Sequence, residues 1–310
     1  MPEKTRKKSM NYKKIINNFI TLCIFIAFPI FFYNNQEVFK SIDLDLIILI
    51  PILCLSITRY LINASIEIKL LENLNIKLKF SESLNLVVLN TIGNLVGPFK
   101  IGIGLKITYL KTKHNLSVYK NFVINGQYIV IHLLLSILLL LSTIVAFEKK
   151  YSEKVLLVLL FLIFLIIIFI IFIRNFDFEK VKPRLNKYIF DLISILNFNL
   201  IKKNIFSIFT LSVLHLFFGI INIFLIFSML NFENMFKESI YFNLISILGS
   251  VATVTPGNIG ILEFLHVLFK ELYSLSAAEI VLVSIISRLI SLVSLFIINL
   301  YTRINKIELL

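Results

Sequence analysis

The sequence predicts an all-α polytopic membrane protein of about six full spans and two re-entrant broken helical segments, arranged as an inverted repeat. Three observations carry this. Apolar runs of 18 or more residues recur along the 310-residue chain, each long enough to cross a hydrocarbon layer of about 30 Å as a helix. Hydrophobic residues make up 58% of the chain and charged residues only 16%, against about a quarter charged in an ordinary soluble domain. The glycines are concentrated in two places, which divides the apolar runs into intact and interrupted ones.

The intact runs are 15–33, 42–62, 121–147, 155–173, 205–230 and 277–301. The first follows a basic N-terminus and mimics a signal peptide. It is longer than a typical h-region and has no A-x-A-like site after it, so it is expected to be an uncleaved span. The interrupted segments are 83–110, broken by Gly93, Gly97, Pro98, Gly102 and Gly104, and 240–274, broken by Gly249, Pro256, Gly257 and Gly260. Together they hold seven of the nine glycines and two of the six prolines. Both residue types interrupt helices, and a helix broken inside hydrocarbon must satisfy its freed backbone groups within protein or a wet cavity.

Charge decides how these segments run. The net charge is +13, with 31 basic and 18 acidic residues. With a cytoplasmic N-terminus and both broken segments re-entrant, 21 basic residues fall inside and five (Lys40, Lys149, Lys150, Lys154 and Lys237) outside. Were the broken segments full spans, the most basic loop, 174–204, would face outward, against the positive-inside rule. Both termini are therefore expected in the cytoplasm, with the chain in the cell membrane. The order span, span, hairpin, span then occurs twice, in 15–147 and 155–301, within a single domain covering 1–310. Three crossings per unit invert the second, an architecture common in transporters. Pro98-x-x-x-Gly102 and Pro256-x-x-x-Gly260 lie 158 residues apart in corresponding places. Segments 64–80 and 183–204 mix apolar residues with lysines and read either as interfacial helices on anionic headgroups or as solvated basic loops.

Ionisable groups at membrane depth are costly and mark function by default. The first broken segment carries Asn90, Asn94, Lys100 and Lys106. The second carries Asn243, Thr253, Thr255, Asn258, Glu263 and His266. Arg288 lies eleven residues into the last span, where it needs a partner, and Glu263 is the candidate. That pair reads either as a structural tie between hairpin and span or as part of a polar route for a lipid headgroup. Lys106 and Glu263 could equally bind a phosphate-bearing or zwitterionic substrate or bridge the two hairpins. A helix starting near Asn258, after the Pro256-Gly257 turn, would present its N-terminus to a phosphate.

Catalytic constellations are not expected. Glu263 and His266 form a single Glu-x-x-His, whereas a di-iron bundle needs two and further carboxylates. His132 and His215 read as isolated core or interhelical histidines. Cys23 and Cys54 read as small packing groups. No H-E-x-x-H, G-x-S-x-G or phosphate-loop pattern occurs. The chain is accordingly expected to be no enzyme, to use no cofactor or metal, and to bind no nucleic acid. Its expected partners are membrane lipids with anionic or phosphate-bearing headgroups. A homodimer, or a lipid-modifying enzyme docked on the 174–204 loop, is also compatible with the sequence.

Two stretches resemble a known family. Asn94-Leu-Val-Gly-Pro98-Phe-Lys100-Ile-Gly102-Ile-Gly-Leu-Lys106 is similar to the first signature of the lysylphosphatidylglycerol synthase transmembrane family, approximately N-x-x-x-P-x-R-x-G-E-x-x-R. Thr255-Pro256-Gly257-Asn258-Ile259-Gly260-Ile261-Leu262-Glu263 is similar to its second, P-G-G-x-G-x-x-E. Ser274-Leu-Ser-Ala-Ala-Glu279 and Arg288 fill the family's later turn and arginine. The chain departs from the pattern at Lys100 and Lys106, which replace arginines, at Ile103, which replaces an acid, and at Asn258, which replaces a glycine. Lysine keeps the charge but loses the bidentate fork. The resemblance implies a flippase-like domain that moves a phospholipid, glycolipid or polyprenyl-linked lipid between leaflets, in a short form without the soluble aminoacyl-transferring domain. A membrane-embedded lipid-modifying enzyme and a non-transporting partner of such an enzyme are the alternatives.

Overall fold

The computed structural model describes residues 45–96, 100–147, 203–232, 235–250 and 255–304, together with Tyr33. These residues form eight α-helices and no strand. A 3-10 turn, Leu46–Ile48, leads into α1, Leu49–Glu72. Helix α2 is Phe80–Val96, α3 Ile101–His114 and α4 Val118–Phe147. Then come α5 Ile205–Met229, α6 Phe236–Gly249, α7 Ile261–Leu268 and α8 Ala277–Ile304. Four stretches are long and apolar enough to cross a membrane: Leu46–Glu72, Val118–Phe147, Ile205–Met229 and Ala277–Thr302. They correspond to four of the six expected spans. The spans at 155–173 and, apart from Tyr33, 15–33 lie outside the described residues, as do Pro98 and nearly all of the 174–204 loop.

One boundary is corrected. The span expected to stop at 62 continues as one helix to Glu72, so 64–72 is not a solvated loop. Asn63, Glu67 and Lys69 look like a span end to a linear reading. In three dimensions Ala64, Ile66, Glu67, Leu70 and Leu71 are buried against other helices, which removes the need for water. At about 40 Å, the 27-residue stretch exceeds the hydrocarbon thickness.

Both interrupted segments fold as helix–break–helix hairpins. Their arms run from about 12 Å (α7) to about 25 Å (α2), each shorter than the hydrocarbon layer. In the first, α2 and α3 meet backbone to backbone. A Cβ on Gly93 would lie 2.5 Å from the Cα of Gly102, and a Cβ on Gly102 would overlap the Asn90 carbonyl. In the second, Gly249 lies against Leu262 and Leu265 of α7. The second helix begins at Ile261 rather than near Asn258, because Gly257, Asn258 and Gly260 all have left-handed backbones (φ 58°, 57° and 83°) that a continuous helix cannot hold. The two breaks touch: Gly257 packs on Leu95 at the end of α2.

The packing is paired. Helix α1 lies along α2 and α8, while α5 lies along α6 and α4. The first hairpin reaches across to α8 through α2, and the second reaches across to α4 through α6. Helices α1 and α5 are antiparallel. The Asp45 N–H donates to the Met229 carbonyl (3.0 Å) at one end, and the Asn204 N–H donates to Asn73 Oδ1 (3.2 Å) at the other. Between these, Asn222 donates to the Ile52 carbonyl across the buried contact (2.8 Å). The main core joins residues of α1, α4, α5, α6 and α8, including Ile52, Ile144, Phe227, Tyr241 and Val283. Many large apolar side chains face outward, among them Phe206, Phe217, Phe296 and Tyr301. Cys54 also faces outward and is a free thiol rather than a packing group between helices.

Candidate functional site

Three helices carry polar residues at helical spacing on one face. On α1 these are Arg59, Asn63 and Glu67, at i, i+4, i+8. On α4 they are Asn125, Tyr128 and His132. On α8 they are Ser284, Arg288 and Ser291. The three stripes converge on a cavity of about 530 Å³, completed by Asn90 and Thr91 of α2, Lys106 of α3, His215 of α5, Ser246 of α6 and Gly257. The volume falls within the range of about 300–1,000 Å³ typical of small-ligand sites.

Each hairpin reaches the cavity wall through an ion pair. Lys106 is 5% exposed and donates to Glu67 Oε2 (2.5 Å) and Asn125 Oδ1 (2.8 Å). This pins α3 to α1 and α4. Asn125 is oriented in turn by donating to the Asn121 carbonyl (2.8 Å). On the other side, Glu263 Oε1 meets Arg288 Nη2 (2.8 Å) and accepts from Ser284 Oγ (2.7 Å), while Oε2 accepts from the Gly260 N–H (2.7 Å). Arg288 also donates to the Asn258 carbonyl (3.3 Å). The expected pairing of Glu263 with Arg288 is thus present and ties α7 and its entry turn to α8. A bridge between Lys106 and Glu263 is not formed, because Glu67, which the sequence reading did not single out, takes Lys106. The N-terminus of α7, expected to be open to a phosphate, is already occupied by the Glu263 carboxylate.

The other sequence-selected residues have the following surroundings. Gly102 permits the close crossing of α2 and α3. Lys100 is half-buried, left-handed (φ 56°) at the start of α3 and off the cavity wall. Asn94 donates to Asn90 (3.4 Å), and Thr255 to the Ile259 carbonyl (2.9 Å). Pro256 and Gly257 make the 3-10 turn. His266 is fully buried, with its ring nitrogens within 2.9 Å of the Ser246 and Tyr273 hydroxyls and its ring stacked on Phe242 at 4.0 Å. Glu279 closes a capping box with Ser276 at the start of α8.

The feature missed from sequence is Arg59. Extending the helix to Glu72 moves this residue from near a span end to the midpoint of the 27-residue stretch Leu46–Glu72. His132 and His215 are not isolated: their rings are 5.2 Å apart, and Tyr128 lies 5.6 Å from His132. All four line the cavity. The i, i+4, i+8 stripe on α1 was the signal that could have found Arg59.

A family model for the lysylphosphatidylglycerol synthase transmembrane region matches residues 18–298. The chain belongs to that family. No curated protein and no solved structure matches it. Membership makes the chain a membrane protein with a lipid-related role.

Proposed function

We propose that the protein is a lipid translocase that carries a lipid headgroup through the polar cavity while the acyl chains stay in hydrocarbon. The observation that carries this reading is the 530 Å³ cavity itself, walled by three spanning helices with polar stripes and by both broken hairpins. A purely structural bundle needs neither the breaks nor the cavity. The paired packing, with α1 and α5 antiparallel and each hairpin laid on the opposite half's last span, supports an inverted repeat with two re-entrant segments. Such an arrangement lets one half rock against the other around a fixed site. The reading places both termini in the cytoplasm of a cell-membrane protein and assigns the chain no bond-making step. The driving force would be a coupled ion or the lipid's own gradient, as the sequence holds no nucleotide-binding motif.

Purified protein in liposomes should accelerate leaflet exchange of a fluorescent phospholipid, read by bleaching of the outer leaflet. No acceleration with phosphatidylglycerol, phosphatidylethanolamine and a glycolipid would sink the proposal. A new lipid product by mass spectrometry would replace it with an enzyme. A cysteine at position 187 should resist an impermeant thiol reagent applied to intact cells; labelling there would overturn the topology.

A further inference from the structure

We infer that Arg59 is the anion seat of the cavity: the phosphate of a lipid headgroup docks on its guanidinium, flanked by His132 and His215, while the two ion pairs stay closed. The inference rests on the reading that the cavity admits a lipid headgroup, but not on that lipid being moved.

Charge accounting on the cavity wall leads to Arg59. Lys106 is neutralised by Glu67 and Arg288 by Glu263, so neither ion pair contributes net charge to the cavity wall. Arg59 makes no ion pair among the described residues, and its buried Nε has no hydrogen-bond partner. The groups whose charges it shares a field with are Tyr60, Tyr128, His132 and His215, which are phenols and imidazoles, not carboxylates. The Tyr60 hydroxyl is engaged by Ser291. An uncompensated guanidinium midway along a spanning helix is among the costliest groups a membrane protein can hold. It is retained where an anion completes it, and its planar fork matches two phosphate oxygens.

The neighbours fit the same ligand. His132 Nδ1 and His215 Nδ1 are buried and also without partners, so two further donors are available when those nitrogens carry hydrogen. The three groups come from α1, α4 and α5, the spanning helices rather than the hairpins. A phosphate there would leave the rest of the cavity, lined by Asn63, Asn90, Thr91 and Ser287, for the hydroxyl or amine groups of the headgroup. This moves phosphate recognition away from Lys106 and the α7 N-terminus, where the sequence placed it.

The test uses full-length protein in a non-ionic detergent and measures equilibrium binding of a short-chain phosphatidylglycerol, a neutral monogalactosyl diacylglycerol and inorganic phosphate. Arg59→Gln should weaken phosphatidylglycerol binding by about tenfold or more, with Arg59→Lys intermediate and the galactolipid unaffected. Lys113→Gln, on the exposed end of α3, should bind as the parent does. Folded Arg59→Gln protein that binds phosphatidylglycerol normally overturns the inference. Inorganic phosphate binding as tightly as phosphatidylglycerol overturns the lipid as ligand. Should Arg59→Gln not fold, phenylglyoxal labelling of the unmodified protein decides instead. Phosphatidylglycerol should protect Arg59 and the galactolipid should not; equal or absent protection overturns the inference. Binding that depends on Arg59 in a protein that moves no lipid removes the translocase reading and leaves the seat. Transport insensitive to Arg59→Gln does the reverse.

Discussion

Separating the Glu263–Arg288 pair should destabilise the protein before it alters any transport step. The carboxylate is buried and receives three donors: Arg288 at 2.8 Å, Ser284 at 2.7 Å and the Gly260 N–H at 2.7 Å. Glu263→Gln keeps the shape and one acceptor oxygen but leaves the Arg288 guanidinium, whose side chain is 19% exposed, without a counter-charge. Removing one member of a buried pair costs about 3–5 kcal/mol. Because the amide oxygen and the Asn258 carbonyl still accept, the loss should lie near the lower figure, about 3 kcal/mol. Glu263→Ala also strips partners from Ser284 and Gly260 and should approach about 5 kcal/mol. The Glu263→Gln/Arg288→Gln double variant removes both charges and should be no less stable than the worse single variant, giving a coupling of about 2–3 kcal/mol. Unfolding in mixed detergent–SDS micelles, followed by far-ultraviolet circular dichroism, measures each corner of the cycle; the chain has no tryptophan to report by fluorescence. A coupling below about 0.5 kcal/mol, or a Glu263→Gln profile matching the parent, would refute the claim that this pair holds α7 to α8.

Three further outcomes are expected. Glu67→Gln should strand Lys106 with only Asn125 and cost about 3 kcal/mol in the same assay, whereas Lys69→Gln, in a half-exposed pair with Glu72, should change stability by less than about 1 kcal/mol. Gly102→Ala puts a methyl into the Asn90 backbone and should cost about 3 kcal/mol or block folding, while Gly104→Ala, which faces open space, should be neutral or slightly stabilising; both are read as monodisperse yield on size exclusion. At Glu82, burial raises the carboxyl pKa, but hydrogen bonds from His114, Tyr109 and Lys113 outweigh it and hold the group below its usual 4.5. Its stabilisation is therefore present above that value and lost as pH falls through the lower folded value. Glu82→Gln should flatten the loss of thermal stability between about pH 5 and pH 3.

Much of the architecture was legible without coordinates because it depends on local, additive properties. Four of the expected spans match helices within a few residues at most of their ends, since an apolar run of sufficient length satisfies its backbone only as a helix. The glycine clusters located both hairpins, and two short motifs named the family. The error at the end of α1 has the same root. A linear hydropathy reading treats Asn63, Glu67 and Lys69 as leaving the bilayer, whereas a helix with one polar face can continue if that face lines a cavity.

What the sequence alone determined, then, is where helices run, where they break and which family the chain joins. The Glu263–Arg288 pair was also legible there; only the tertiary structure decided where Lys106 finds its counter-charge and that Arg59 finds none among the described residues. Lys106 could have met Glu263, but meets Glu67, 39 residues away, because α3, packed on α2 and touching α4, brings its side chain to the polar faces of α1 and α4. Arg288 takes Glu263, and Arg59 is left facing the cavity. Pairing is settled by which helix faces converge, and convergence depends on packing across the whole bundle, so no window of sequence contains it.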